Sequence, residues 1–317
     1  MIIAIDEVGD FAPTSKRYNF MIAVLLPRFK NGIAIKREQF EKWKNTIDKG
    51  RFTNQNEVKG SDLTEDELFR FTNEVIISEP KIGNIQIRII PSENNIKVFD
   101  SFKEVETNLI ALLITHSEKI DDKNGLEFYT KFSRWFKHRN FQHYMKIVLL
   151  ENCIGRSVQM AMGMSILYWA LGDDTDLMNL EIKIDKDFIN KTGEKQYFKE
   201  LLKQGFRTIT ETHRIPMAKE LLASNHPFVT KNMLPNGMLN LAEVFNNRCD
   251  FFDSHKNFEL QIADILGTIF HRVQNRNTCI DSAVAIEKAL GKGQIKTHLI
   301  LNPDHNKEVE IRFDNLE

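Results

Sequence analysis

Residues 2 to 10 read IIAIDEVGD, and the apolar run that opens this stretch restricts the fold more than anything after it. A β-strand alternates its side chains with period two, so Ile2, Ala4 and Asp6 share one face while Ile3, Ile5 and Glu7 share the other. Both faces stay apolar until Asp6. Such a strand is covered on both sides, as the central strand of an α/β sheet is, and its first charge comes where the strand runs out. Sites in α/β sheets gather at that end of the strands.

Asp6 therefore carries two readings. A carboxylate ending a doubly buried strand is desolvated unless it is paired or holds a metal ion. Equally, Asp starts turns, and Gly9 with help from Asp10 completes one here. Glu7 faces the other way if the strand continues that far, which makes it the weaker candidate.

Further elements follow from periodicity. YNFMIAVLL from Tyr18 reads as a second strand and hairpin partner, and NIQIRII at 84 to 90 as a third. KREQFEKWKNTIDKG has helical spacing from Lys36 and ends at Gly50, while Thr64 and Glu67 form a capping-box pattern that opens another helix. From about Val98 to Leu171 the chain turns helical, and its last part is apolar enough for a buried helix. LEIKIDKDF at 180 to 188 is a fourth strand, followed by a helical segment to about Gln204. CDFFDSH at 249 to 255 is a short strand, and FELQIADILGTIFHRV at 258 to 273 a helix. No repeat or linker interrupts the chain, so one α/β domain over 1–317 is expected, with a helical insertion at roughly 98–172.

Two more carboxylates deserve the comparison made for Asp6. Asp185 shares its strand face with Glu181, Lys183 and Asp187, which reads as a solvated face. On the helix from Phe258, Asp264 lies opposite the apolar arc, beside Gln261, Gly267, Thr268 and His271. That polar side lacks Lys and Glu, and Gly267 would let another element come close, so Asp264 is read as covered or facing a site. His271, two turns away, is read as structural.

The 43 basic and 44 acidic residues nearly cancel, so any hold on an anionic partner must come from a local patch. Cys153, Cys249 and Cys279 are too few and scattered for a disulfide framework or a cysteine zinc site, and a reduced, cytoplasmic setting is expected. The sequence predicts neither secretion nor membrane insertion, having no basic-then-apolar leader and no spanning apolar run. Zinc-protease, nucleophile-elbow and phosphate-loop motifs are absent, which leaves carboxylate chemistry.

IDEVGDF resembles the Asp-Glu-Ser-Gly start of the domain of unknown function 3800 family, a family similar to the ribonuclease H-like superfamily, with Val8 where the family has Ser. CDFFDSHKNFELQIADILGTIFHRV resembles its second signature, an Asp-Ser pair leading into a helix with Gln-x-Ala-Asp. Asp185 matches a further acidic position of the superfamily by its place on a later strand. The resemblance implies a ribonuclease H-like mixed sheet of about five strands with helices on both faces, and a last Asp on a C-terminal helix beside the first strand. It also implies a metal-dependent nuclease acting on DNA or RNA, with Asp6, Asp185 and Asp264 holding two divalent ions about 4 Å apart and Glu7 as a further ligand. Magnesium or manganese suits oxygen ligands.

Under that implication an acid-free stretch from Lys131 to Leu150 gains meaning. Lys131, Arg134, Lys137, Arg139 and Lys146 would meet phosphates, and Trp135 with its aromatic neighbours would stack on bases. An amphipathic helix with core aromatics and solvated cations is the alternative. An actin-like or sugar-kinase-like ATPase and a catalytically silent binding module remain open at this point, as does a protein partner or a second copy of the chain.

Overall fold

The structure is a computed structural model and describes residues 1–11, 16–53, 57–90, 95–138, 141–172, 175–186, 202, 219, 226–291, 294–302 and 305–309. Its centre is a mixed sheet built from β1 (Ile2–Val8), β2 (Asn19–Leu26), β3 (Asn84–Ile90), β4 (Glu181–Asp185), β5 (Cys249–Phe252), β6 (Ile295–Asn302) and β7 (His305–Val309). The strands stand in the order β5-β4-β1-β2-β3-β6-β7. β1 pairs antiparallel with β2 and parallel with β4, β2 is antiparallel to β3, and β5 is parallel to β4. The apolar run at residues 2 to 5 thus lies inside the sheet, as its two-sided pattern requires.

Among the described residues the sheet has seven strands, two more than the expected five. Ile295–Asn302 adds in parallel to the edge of β3, with Ile85 opposite Ile295, and β7 folds back antiparallel on β6.

Among the described residues the helices are α1 (Gly32–Lys44), α2 (Glu65–Phe71), α3 (Asn95–Lys119), α4 (Lys123–His138), α5 (Phe141–Ala170), α6 (Thr175–Met178), α7 (Pro227–Asn232), α8 (Leu241–Arg248), α9 (Phe258–Arg276) and α10 (Ile280–Leu290). They divide between the two sheet faces by the parity of the strands. Ile3, Ile5, Met21, Ala23, Leu25, Ile182 and Ile184 pack with α5, whereas Ile2, Ala4, Phe20, Ile22 and Val24 pack with α1, α2, α9 and α10. Full burial of each of these side chains larger than alanine contributes about 1.5–3 kcal/mol, which is why the strand parity fixes the layers.

Local signals set several boundaries. The Thr64 hydroxyl accepts from the Glu67 N–H, and the Glu67 carboxylate accepts from the Thr64 N–H at 2.7 Å, closing the capping box at the start of α2. α1 starts at Gly32 and stops at Lys44, short of Gly50: the Thr46 and Ile47 N–H groups turn back to the Trp43 and Lys44 carbonyls, and Asp48 then opens a separate turn by accepting from the Gly50 N–H. Most of the helical segment expected up to Gln204 lies outside the described residues, as does Arg139. Among the described residues no helix is long and apolar enough to cross a membrane.

Candidate active site

The C-terminal end of β1 delivers Asp6 to the α9 side of the sheet, in step with Ile2 and Ala4. β4 delivers Asp185 to the same side, because Ile182 and Ile184 point the other way into the α5 layer. The last paired residues of the two strands are Ile5 and Ile184, so the two aspartates follow them side by side. Asp6 is 8% exposed and Asp185 4%. The solvated setting expected for Asp185 is therefore corrected: α9 and the loop before it cover Lys183 and Asp185, with Lys183 buried against Glu259 of α9 at 3.2 Å, while Glu181 at the start of the strand stays exposed and Asp187 lies outside the described residues.

α9 brings the third carboxylate. Its apolar arc packs on β1 and β2, and Gly267 lets β1 come so close that a Cβ there would meet Val8 Cγ2 at 2.5 Å. Its polar side is covered too. Residues 57 to 61 run along it, with the Val58 N–H donating to Gln261 Oε1 at 3.4 Å and the Gly60 N–H to Asp264 Oδ2 at 2.8 Å. Arg272 reaches the Ser61 carbonyl at 2.9 Å. A Cβ on Gly60 would lie 2.5 Å from Thr268 Oγ1 and 3.0 Å from the Ile265 Cα, so only glycine admits this contact.

The electrostatics tie the three aspartates together. Burial, followed by the charges of Asp264, Glu7 and Asp185, holds Asp6 well above the usual carboxylate range, against a hydrogen bond from the Glu7 N–H. Burial pushes Asp264 up to about 6; the Gly60 N–H and Lys59 oppose it, while Glu57 and Asp185 add to it.

Glu57 and Lys59 are the residues that sequence reasoning missed. Glu57 is 6% exposed, and its Oε1 lies 2.9 Å from Lys59 Nζ. Burial works against the Lys59 charge, but the bond to Glu57 and the charges of Asp264, Glu57 and Asp185 outweigh it and hold the ammonium above its ordinary range. The available signal was the segment EVKG, two opposite charges flanking a buried Val58 and ending in a glycine.

Glu7 and the basic stretch stand elsewhere. Glu7 points to the α5 layer, where its Oε1 accepts from Lys146 Nζ at 2.7 Å, and Lys146 also lies over the Phe11 ring. Lys131 pairs with Glu127 one turn earlier on α4, and Arg134 is exposed on that helix. Lys137 and Trp135 lie on α4 as well. Phe132 is buried in the apolar core that also holds Ile110 of α3 and the inner side of α5. A cavity lined by Asn179, Glu181, Arg248 and Asp250 opens at the other end of β4 and β5, away from the aspartates.

The donor set suits a hard divalent cation: oxygen ligands only, buried, and mutually repelling as anions. Among the described residues, however, no three His, Cys, Asp or Glu side chains stand together in a ready-made metal-binding group. An α/β protein with buried aspartates at the ends of two central strands and on the helix packed against them is the class that fold and site define. No protein-family model, curated protein or solved structure matches the chain.

Proposed function

We propose that the chain is a divalent-metal-dependent nuclease of ribonuclease H-like fold, acting on DNA or RNA. The observation that carries this reading is the convergence of Asp6 from β1, Asp185 from β4 and Asp264 from α9 on one side of the sheet. That arrangement supports the resemblance, which places its last Asp on a helix beside the first strand; α9 packs against β1.

Asp6, Asp185 and Asp264 would hold magnesium or manganese, which supplies an activated water and stabilises the leaving oxygen of a phosphodiester. The chain's own residues do the positioning. The Gly60 N–H fixes one oxygen of Asp264, and the Glu7 N–H fixes Asp6 Oδ1 at 2.8 Å, so the two carboxylates are oriented before any ligand arrives. Lys183, bonded to Glu259 and to Asn257 at 3.2 Å, holds α9 against β4 beside Asp185.

The turn after β1 favours this reading over the ATPase. Asn19 fills the turn: its Oδ1 accepts from the Phe11 N–H at 2.8 Å and packs against Gly9, where a phosphate would need to enter. Among the described side chains of the basic stretch, Arg134 and Lys131 are the exposed cations, open to a nucleic acid backbone. The three free cysteines suit the reduced, cytoplasmic setting.

The test is cleavage of end-labelled single-stranded, duplex and branched DNA and RNA with magnesium or manganese, with chelator and Asp6→Ala as controls. Cleavage that needs both the metal and Asp6 supports the nuclease. Metal binding without cleavage of any substrate favours the silent module instead.

A further inference from the structure

α9 runs on past the end of β1. Gly267 lies against Val8 and Ile22, His271 meets the Phe20 ring edge-on with centroids 5.7 Å apart, and Asn275 Oδ1 accepts from the Tyr18 N–H at 2.8 Å. Val8 pairs with Phe20 at the last step of the β1–β2 ladder, so the turns after Gly267 stand over the connection that follows Asp6. Up the helix from Asp264, at intervals of one turn, come Thr268, Arg272 and Arg276. The helical rise puts the two arginines about 12 and 18 Å along the axis from Asp264.

Arg272 is fixed by the loop that also holds Asp264. Its Nη2 donates to the Ser61 carbonyl at 2.9 Å and to the Gly60 carbonyl at 3.4 Å, while the Gly60 N–H donates to Asp264 Oδ2. Both acceptors are neutral. The lysines around the site differ, since Lys59 pairs with Glu57, Lys183 with Glu259 and Lys186 with Asp253. Among the described residues no carboxylate forms an ion pair with Arg272, nor with Arg276, which is exposed in the last turn. Arg17 precedes Tyr18 and brings a third guanidinium to this end of the helix. Burial, then the charges of Arg276, Arg17 and Arg272, holds His271 below its ordinary range, with Asp10 opposing them.

We propose that Arg272 and Arg276 hold phosphates of the nucleic-acid strand that reaches the aspartates, so that the strand runs along the C-terminal half of α9. The inference rests on the nuclease reading of the site. A cation in the last turn is what the helix dipole favours by itself, but Arg272 lies a turn earlier and is tied to the loop on Asp264. A guanidinium bonded only to neutral carbonyls keeps its charge for an anion, and its planar fork fits two phosphate oxygens. The described part of the acid-free stretch packs with α4 and α5, across the sheet from α9, which leaves the phosphates nearest the aspartates to α9.

The test is binding of short fluorescein-labelled single strands of DNA and RNA to the full chain, followed by anisotropy in chelator over a series of salt concentrations. Wild type, Arg272→Gln and Arg276→Gln are compared, with Lys42→Gln, an exposed cation of α1, as the control. Each arginine variant is expected to lower the slope of log affinity against log salt by about 0.7, and Lys42→Gln to leave it unchanged. Arg276→Gln should melt with wild type, so its lower slope reads phosphate contact rather than folding. An unchanged slope in Arg276→Gln, or no binding by wild type, would overturn the assignment, as would equal displacement of the strand by poly-glutamate, which points to an acidic protein instead. Lower slopes in both variants, with no cleavage by wild type under magnesium or manganese, support the α9 surface and overturn the nuclease. Cleavage that needs metal and Asp6, with unchanged slopes, does the reverse.

Discussion

The backbone N–H of Gly60 donates to Oδ2 of Asp264 across 2.8 Å, joining residues 204 positions apart. This bond carries Glu57 and Lys59 to the aspartates, and it exists because Gly60 has no side chain to hold the loop away from Thr268 and Ile265. Gly60→Ala is expected to destabilise the protein by about 1–3 kcal/mol, because the Ile265 backbone cannot move aside. Denaturant unfolding checks this, and a change under 0.5 kcal/mol would contradict the close approach.

The Asp264 carboxyl, raised to about 6 from an ordinary 3.8, gives a pH dependence with a definite sign. Between those values the native state binds more protons than the unfolded state, so stability falls as pH rises. The contribution is fully present below about pH 4 and lost by the time pH has passed 6. Asp264→Asn removes it, so in chelator the stability difference between variant and wild type should grow in the variant's favour from pH 4 to pH 7. The limit is about 3 kcal/mol. Urea midpoints at the two pH values measure it, and a parallel pair of curves would contradict the burial of an ionised Asp264.

Lys183 and Glu259 form an ion pair with side chains 11% and 1% exposed. Lys183→Met should cost about 3–5 kcal/mol by leaving the Glu259 charge buried without its cation. The double variant Lys183→Met, Glu259→Gln should recover most of that loss, and a double-mutant cycle in denaturant reads the coupling.

Lys146 and Arg134, both in the acid-free stretch, should behave differently toward an oligonucleotide. Lys146 is held by Glu7, whereas Arg134 is exposed on α4. Arg134→Ala is expected to lower the slope of log affinity against log salt by about 0.7 for a single strand, and Lys146→Ala to leave the slope unchanged while weakening the fold. Equal effects of the two substitutions would show that Lys146 also meets phosphate.

Much of this was written locally. Ile2 to Ile5 specify a strand covered on both faces, because a period of two and apolar residues at every position admit no solvent side. Asn84–Ile90 alternates, and Thr64 and Glu67 cap their helix within four residues of chain. Asp264 left a trace as well, in a polar helix side without Lys or Glu.

Asp185 and the Glu57–Lys59 pair left little. The alternation of LEIKIDKDF is the same whether its charged side meets water or α9, and only packing of α9 across β4 decided that Asp185 is buried. Glu57 and Lys59 belong to no periodic element. Their place beside Asp264 comes from hydrogen bonds between segments some two hundred residues apart, which no local pattern encodes. The sequence by itself determined the central strand, its parity and the carboxylate at its end, since these depend on neighbours along the chain. Tertiary structure alone decided which carboxylates are buried on one side of the sheet and which loop covers them, since long-range packing sets both.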